Sequence, residues 1–452
     1  GRLVSTNDGV ISAFGFNDTA YVDGVQFVTE SEHILLSKFA VNGDLDWVHQ
    51  VRSDFVQIAS IVTDEFGSVY ALGNFVNWVS IEVDTLQVIG DPTELSTEVF
   101  MAKLNSDGVL VWIRHVGGGA NYNIAESLTY SGGSLYGCGR FREEMQIGTE
   151  NFVSSSFKNG FLFAMDTTGT INWSRQFMSD NAHPLAIKAK PNNISVIGLF
   201  ESPMTVAGHG LNGSSGSGDG FLVNFDSTGS VLMSKAIGGD ATEVLDHLEL
   251  ISDSLYLVSG YSASSSFQID GLEFQNAANQ PGWYNQNHFS LVLDASLKAD
   301  CIYYTESTNS SLGLETNFNH ISGDTVWIVS GFGAELSFGD TTLYSPGGTM
   351  FISKTCMGCN ELITIDIPVI SDSGTGMHLY PNPANTSTTL TLPDAGTYDI
   401  LVLDAMGRVV YQEKTANASY QLTTANWPQG IYAITATNKE GVQYTSKLVV
   451  GR

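Results

Sequence analysis

Short apolar runs separated by turn residues recur along most of the chain. In one recurring unit, an apolar run is followed, four or five residues after its start, by Gly and soon after by an aromatic residue. Each copy is preceded by residues that favour turns, such as Asp8-Gly9 or Gly132-Gly133. Apolar runs that begin at such turns are typical of β-hairpins. The six copies contain the aromatic residues Phe16, Phe75, Phe141, Phe200, Tyr261 and Phe332.

A second recurring unit lies between these copies and carries Gly in its turn. In its four clear copies a large apolar residue follows the turn Gly by four positions, and we expect it to cover the neighbouring unit. Two less regular copies follow towards residue 363. The four pairs of turn Gly and large residue are Gly43 with Trp47, Gly108 with Trp112, Gly169 with Trp173, and Gly229 with Met233.

Six copies of each unit predict an all-β fold for residues 1–366, a six-bladed β-propeller. The first unit type opens the chain and the second ends near Asp366. We therefore expect the N-terminal and C-terminal hairpins to pair in one shared sheet that closes the ring, with residues 10–16 beside residues 351–365. Insertions at 22–27, 147–152 and 338–343 predict a small additional hairpin on each blade.

Charge divides the chain into two parts. The protein has 47 acidic and 19 basic residues, a net charge of −28, yet residues 376–452 contain five of each sign. We therefore predict a second domain at 377–452, joined to the propeller by a polar linker at 367–376 that contains Gly and Ser. The acidic balance argues against nucleic acid as a partner and opposes docking on anionic lipid. No apolar run is long enough to span a membrane.

Known catalytic motifs are not visible, and no catalytic residue is predicted. The nine His have no metal-ligand spacing, and no Gly-x-Ser-x-Gly motif lies between a strand and a helix. An enzyme stays open as an alternative, because propeller active sites are assembled from several blades. A sialidase-like site would need an arginine cluster, and the propeller region has only Arg2, Arg52, Arg114, Arg140, Arg142 and Arg175.

No cofactor is expected. The acidic turns could hold Ca²⁺ through carboxylate oxygens, although no Asp-x-Asp-x-Asp-Gly loop supports this. For Cys356 and Cys359 we expect a structural disulfide or two thiols rather than a redox or zinc site. Cys138 and Cys301 belong to opposite blades, so we expect no bond between them.

An aromatic and polar loop at 280–287 is the candidate ligand site. Trp283 and Tyr284 stand beside amide side chains, a composition that suits stacking on a sugar. The alternative is that both aromatic rings pack on their own blade, as loop aromatics often do.

The segment 377–452 has short alternating strands and no helical pattern. This predicts roughly seven strands in a small immunoglobulin-like β-sandwich. Four motifs follow in order: Leu379-Tyr380-Pro381-Asn382-Pro383-Ala384, Asp404-Ala405-Met406-Gly407-Arg408, Pro428-Gln429-Gly430-Ile431-Tyr432 and Ser446-Lys447-Leu448-Val449-Val450. They resemble the type A C-terminal sorting domain of type IX secretion system cargo. The repeats of residues 3–366 resemble bacterial β-propeller repeats found on surface proteins of Bacteroidota.

The resemblance implies secretion to the outside or display on the surface of a didermic bacterium. It implies recognition of the tail by the outer-membrane translocon and its shuttle barrel and, in many relatives, removal by a sortase-like peptidase. The sorting-signal residues would be Tyr380, Pro381, Asn382, Pro383, Gly407, Gly430 and Lys447. From the residues alone, the Pro-Asn-Pro run could equally be a turn at the start of the domain, and Lys447 a charge that protects an edge strand.

The leading hypothesis is a surface-exposed propeller that acts as a binding or adhesion module for a glycan or a protein. One alternative is a secreted propeller enzyme that acts on glycans. Another is a surface scaffold protein.

Overall fold

The structure, a computed structural model, describes part of the chain. The described residues are 1–82, 84–88, 96–119, 122–154, 157–201, 203–214, 218–252, 255–275, 287–304, 318–322, 325–338, 341–356, 362–363, 377–393, 396–404, 408–415, 417–439 and 443–451. The chain divides into two compact units, Gly1–Pro346 with Thr355–Leu362, and Gly347–Lys354 with Ile363–Arg452. The linker expected at 367–376 lies outside the described residues.

The described residues are built of β-strands, so the all-β prediction is confirmed. The strands from the N-terminus fall into six groups, called groups 1 to 6 in chain order. Each group has four main strands that lie side by side in one sheet, and groups 3 to 5 also contain a two-stranded hairpin. Within the described residues, no helix has the length and apolar character needed to cross a membrane.

Groups 1 to 3 share one continuous sheet. One strand, β4 (Leu45–Thr63), ends group 1 and begins group 2, and a short parallel pairing of Thr97 with Tyr122 joins group 2 to group 3. Group 1 comprises β1 (Arg2–Thr6), β2 (Gly9–Val22), β3 (Val25–Ala40) and β4 (Leu45–Thr63). Group 2 adds β5 (Val69–Ile81), β6 (Asp84–Gln87), β7 (Thr97–Leu104) and β8 (Leu110–Gly117), of which β6 pairs with β5 alone. Group 3 contains β9 (Tyr122–Ser131), β10 (Ser134–Arg142), β11 (Glu144–Ile147), β12 (Glu150–Val153), β13 (Asn159–Asp166) and β14 (Ile171–Met178).

Groups 4 to 6 repeat the same order of strands. Group 4 contains β15 (Ala182–Lys190), β16 (Asn193–Phe200), β17 (Met204–Val206), β18 (His209–Leu211), β19 (Asp219–Phe225) and β20 (Val231–Ile237). Group 5 contains β21 (Glu243–Leu250), β22 (Leu255–Ser262), β23 (Ser266–Ile269), β24 (Leu272–Gln275), β25 (Asn287–Asp294) and β26 (Ala299–Tyr304). Group 6 contains β27 (Phe318–Ser322), β28 (Thr325–Phe338), β29 (Thr341–Cys356) and β30 (Leu362–Ile363).

A small extra hairpin lies between the second and third main strands of groups 1, 3, 4 and 5, as the insertions at 22–27 and 147–152 predicted. It is formed by β11 with β12, β17 with β18 and β23 with β24, and by the far ends of β2 and β3 in group 1. Residues 339–340 of the third predicted insertion, 338–343, lie outside the described residues.

The predicted pairing of the N-terminal and C-terminal hairpins is wrong. Strand β2, which contains residues 10–16, pairs with β1 on one edge, through Arg2 opposite Ala13, and with β3 on the other, through Gly9 opposite Ala40. A strand has only two hydrogen-bonding edges, so residues 10–13 of β2 have none left for a further strand. Strand β1 completes group 1 from the same end of the chain, so group 1 needs no strand from the C-terminal segment.

Asx-type hydrogen bonds shape the loops between the third and fourth main strands. In group 3, Asp166 Oδ1 accepts the backbone N–H groups of Thr168 (2.8 Å) and Thr170 (3.0 Å). The side chains of Asn105 and Asp226 make the same pair of bonds in groups 2 and 4. Asp and Asn favour such turns because the short side chain satisfies the backbone of the loop.

Each Trp that follows a turn Gly packs on the turn Gly of the next group. A Cβ atom at Gly108 would lie 2.5 Å from Cγ of Trp47, and one at Gly229 would lie 2.8 Å from the ring of Trp173. Trp112 and Trp173 also donate from Nε1 to carbonyl oxygens of the next turn, at 3.3 Å and 2.9 Å. The expectation that the large residue covers the neighbouring unit is thereby confirmed for Trp47, Trp112 and Trp173.

Successive groups share their hydrophobic cores. One core joins Tyr70 and Met101 of group 2 to Phe141 and Phe161 of group 3, and equivalent cores join groups 1 and 2, 3 and 4, and 4 and 5. The first strands of consecutive groups also contact one another, β9 with β4, β15 with β9, β21 with β15, and β27 with β21. The groups therefore stack face to face with their first strands on a common side.

The C-terminal segment forms two sheets around a core of its own. The strands are β31 (His378–Tyr380), β32 (Ser387–Thr391), β33 (Tyr398–Asp404), β34 (Val409–Thr415), β35 (Ser419–Thr423), β36 (Gly430–Asn438) and β37 (Gln443–Val450). One sheet has the order β31-β32-β35 and the other β34-β33-β36-β37. Leu390 and Leu422 of the first sheet share a core with Ile400, Ile434 and Leu448 of the second. The described residues of this segment therefore contain seven strands in two sheets, in agreement with the predicted β-sandwich, and the immunoglobulin-like character stays a prediction.

Candidate functional site

Two of the sorting-signal motifs, far apart in the sequence, meet at one edge of the C-terminal domain. Asn382 donates from Nδ2 to the carbonyl oxygen of Lys447 (2.6 Å), and its Oδ1 accepts the N–H of Val449 (2.8 Å). Ala384 continues the contact, since its N–H donates to the carbonyl of Val449 at 2.8 Å. On the opposite side of β37, Gly430 pairs with Val450. The motif residues therefore cover the outer edge of β37, the last strand of its sheet.

This arrangement gives the Pro-Asn-Pro run a structural role. The amide of Asn382 offers β37 one donor and one acceptor, as a neighbouring strand would, and so satisfies an edge that could otherwise pair with another chain. Pro381 and Pro383 lie on either side of this residue, and both follow cis peptide bonds. Tyr380, directly before them, is 82% exposed. Its ring is therefore available at the surface next to the covered edge.

A second notable cluster lies at one end of group 3 and brings together cations and aromatic rings. We call Tyr122, Arg140, Arg142, Phe157 and Lys158 the cation–aromatic cluster. The guanidinium carbon of Arg142 is 4.9 Å from the ring centroid of Tyr122 and 4.4 Å from that of Phe157. Lys158 Nζ is 5.5 Å and 4.7 Å from the same two centroids, and the Arg140 guanidinium is 5.9 Å from that of Tyr122.

Strand register places these side chains together. Arg140 and Arg142 alternate along β10 and so project from the same face of the sheet. Arg142 is directly opposite Tyr122, the first residue of β9, and side chains in directly opposed positions are close neighbours. On its other side, β10 pairs with the start of β13, just after Lys158. Sequence patterns did not predict the cluster, because its members come from three separate strands or loops.

Arg140 also links the cluster to group 4. Its Nη1 lies 2.7 Å from Nδ1 of His183, and Nε2 of His183 lies 2.8 Å from Oε1 of Glu126. Burial lowers the pKa of His183, the nearby Arg140 and Lys158 lower it further, and the hydrogen bond to Glu126 opposes this. A neutral His183 fits the geometry, since it accepts a hydrogen bond from Arg140 and donates one to Glu126.

Two buried carboxyl groups form the other unusual polar cluster. Glu243 accepts hydrogen bonds from the N–H of Gly239 (2.7 Å) and the hydroxyl of Ser262 (2.6 Å). Burial raises the pKa of Glu243 to about 7, and the charge of Asp219 adds to the shift. Asp219 is itself buried, which raises its pKa, and accepts the N–H of Ser214 at 2.7 Å. Both groups are 1% exposed or less, so they tie strand ends together rather than face a ligand.

Two open grooves repeat at the outer edge of the array. One, of about 450 Å³, is lined by His115, Glu150, Trp173 and Arg175 among others, and the second, of about 580 Å³, by Arg175, His209 and Ser230. Arg175 is engaged there, because it donates from Nε to the carbonyl of Gly229 at 2.8 Å. No group of three or more His, Cys, Asp or Glu positioned to hold a metal ion occurs in the described part of the chain.

Comparison with known protein families decides the nature of the C-terminal domain. Residues 378–451 match the family model described as the secretion system C-terminal sorting domain. This segment is a type IX sorting signal. The sorting domain directs the chain to the cell surface or out of the cell, and it interacts with the type IX secretion machinery.

Solved structures give only remote likenesses for the whole chain. PorZ, a bacterial surface component of the type IX secretion system of Porphyromonas gingivalis, is 8% identical, with 100% of this chain and 98% of PorZ covered and a TM-score of 0.16. The extracellular domain of BT4673 from B. thetaiotaomicron is 10% identical, covers 99% and 96% of the two chains, and has a TM-score of 0.15. The GH32 β-fructofuranosidase BmSUC1 of Bombyx mori is 10% identical, with coverages of 87% and 86% and a TM-score of 0.33. The search of curated proteins found no match.

Several predicted site residues lie outside the described part of the chain. They are Trp283 and Tyr284 of the candidate ligand loop, Gly407 of the sorting domain, and Cys359. Cys138 and Cys301 are not joined by a disulfide. The placement on opposite blades was wrong, however, because Cys138 lies in group 3 and Cys301 in group 5, two groups apart.

Proposed function

We propose that the chain is a surface-exposed six-bladed β-propeller that acts as a binding module and is delivered by the type IX secretion system. The observation that carries the proposal is the sorting domain at 378–451, attached to an array of repeated four-stranded groups. In this proposal the outer-membrane translocon and its shuttle barrel recognise the sorting domain, and a sortase-like peptidase removes it within 367–376.

The packing of the groups supports a propeller. In a propeller, sheets pack face to face around an axis that is lined by the first strand of each blade. Consecutive groups share cores in this way, and their first strands are neighbours. An experimental structure of residues 1–366 with five or seven blades, or with an open array, would contradict the proposed ring.

A deletion tests the proposed route of export. We expect the full chain to reach the surface or medium of a host that has the type IX system, and the chain lacking residues 377–452 to accumulate in the periplasm. The measurement is immunoblotting of cell fractions together with protease accessibility on intact cells. Surface display of the truncated chain would contradict the proposal.

The binding role is tested separately on the purified full chain. We expect retention of an unmodified ligand on a glycan or protein array. Release of shortened sugars from a retained glycan would instead indicate a hydrolase, and the absence of any retained ligand would contradict the binding module.

A further inference from the structure

We propose that the cation–aromatic cluster binds the carboxylate of an acidic sugar residue in a glycan. This inference rests on the proposed function, because it names a site and a ligand class for the binding module. Arg140, Arg142 and Lys158 would hold the carboxylate, and Phe157 would contact the sugar ring.

The concentration of positive charge is the first argument. Apart from the neutral tail, the chain has 14 basic and 42 acidic residues. Three of those 14 cations nevertheless lie within 6 Å of the ring centroid of Tyr122, and two of them, Arg142 and Lys158, also lie within 6 Å of that of Phe157. Like charges at this separation repel one another, and both burial and the two arginines lower the pKa of Lys158. A bound carboxylate would relieve this repulsion.

The second argument is how the arginines are held. The Nε atoms of Arg140 and Arg142 are buried and make no hydrogen bond to any described residue. The guanidinium of Arg142 lies over the rings of Tyr122 and Phe157, and these contacts restrict its position. A guanidinium that is positioned by rings can meet a carboxylate with two parallel hydrogen bonds, the geometry for which its fork of donors is suited.

The third argument distinguishes a sugar acid from other anions. The net charge of −28 repels a long polyanion. A small anion in contact with the cluster, in contrast, lies within the Debye length of about 8 Å, so salt only partly screens its attraction to the three cations. Glu126, 3.5 Å from Arg140, disfavours a second negative charge nearby but can accept a hydrogen bond from a hydroxyl. Phe157 is 58% exposed, and an exposed ring suits the apolar face of a sugar.

Titration calorimetry on the full chain tests this proposal with matched ligands. The probes are trigalacturonate, its methyl ester, which has no charge, and triglutamate, an acidic peptide. We expect trigalacturonate to bind more tightly than the other two. Arg142→Gln and Lys158→Gln should each weaken its binding about tenfold or more, since each removes a charge-assisted contact.

Arg52→Gln is the matched control, because Arg52 is an exposed arginine of β4 outside the cluster. It should leave the affinity unchanged, and circular dichroism should confirm that all variants are folded. Trigalacturonate binding that neither cluster variant weakens would overturn the site, as would a failure of trigalacturonate to bind while another glycan does, and both results would leave the binding module standing. Equal binding of triglutamate would overturn the sugar specificity. No binding of any array ligand would contradict the proposed function itself.

Discussion

Asn382 links the first motif of the sorting domain to the last. Its side chain makes two hydrogen bonds to the backbone of β37, at Lys447 and Val449. Lys447 and Val449 follow Asn382 by 65 and 67 residues, so the shared role of the two motifs was not visible in the sequence. At the residue scale, part of what resembles a recognition signal also protects the edge of a sheet.

Replacement of Asn382 tests that role. Asn382→Ala should destabilise the domain by about 1 kcal/mol, because two exposed hydrogen bonds are lost. It should also speed amide hydrogen exchange at Val449, whose N–H loses its acceptor. Asn385→Ala, at an exposed position in the same segment, should leave exchange at Val449 unchanged. Unchanged exchange in both variants would show that Asn382 does not protect the edge.

Glu243 makes the stability of the array depend on pH. Its pKa in the folded protein is raised by burial to about 7, above the ordinary value of 4.5. Between these values the folded state holds a proton that the unfolded state has released, so stability falls as the pH rises through this interval. Above pH 7 the full cost of burying the charge is present.

Glu243→Gln removes this charge and should therefore remove the free-energy cost of burying it. We expect the variant to exceed the wild type in unfolding free energy by about 1–3 kcal/mol at about pH 8, and by much less at about pH 5. Thermal unfolding at a series of pH values measures the difference. Glu273→Gln, at an exposed position of β24, should show no such growth. A constant difference between Glu243→Gln and the wild type would contradict the assignment.

At the scale of elements, the contact between a Trp and the next turn couples one group to its neighbour. The turn Gly has a left-handed backbone, with φ of +90° at Gly43 and +83° at Gly108. Gly108 also lies against the ring of Trp47, whereas nothing lies within 4 Å of a Cβ atom at Gly43. Gly43 and Gly108 therefore share the left-handed backbone, but only Gly108 contacts a Trp ring.

A pair of substitutions separates these two effects. Gly43→Ala should cost about 1–2 kcal/mol for the left-handed backbone alone. Gly108→Ala should cost a further 1–3 kcal/mol or so, because the new methyl group overlaps Trp47. Chemical denaturation of the full chain measures both. Equal losses would show that the indole moves aside at no cost and that the contact does not couple the groups.

The hairpins themselves were predictable because their signals are local. Apolar runs, turn Gly residues and Asx loops act within a few residues, and the described residues contain the inserted hairpins expected at 22–27 and 147–152. The predicted pairing of the N-terminal with the C-terminal hairpin was wrong because it was inferred from the number of recurring units. The prediction did not identify β1 as a separate strand, and β1 occupies the edge of β2 that the C-terminal segment was expected to fill.

At the scale of the whole molecule, the described residues of groups 1 to 5 and those of the sorting domain form separate cores. The hydrophobic clusters of groups 1 to 5 contain no residue of the sorting domain, and its own cluster contains none of theirs. Deletion of residues 377–452 should therefore leave these cores intact. Once circular dichroism shows that the truncated chain is folded, its retention behind the outer membrane can therefore be interpreted as a loss of export.

The amino-acid sequence by itself determined the all-β class, the repeated hairpins, the acidic array with its neutral tail, and the sorting signal. Each of these is written in local order, composition or a contiguous motif. Only the tertiary structure decided the edge partners of β2, the contact of Asn382 with β37, and the convergence of Arg140, Arg142 and Lys158. These features join residues from different strands, and their distances depend on register and packing, which local patterns do not specify.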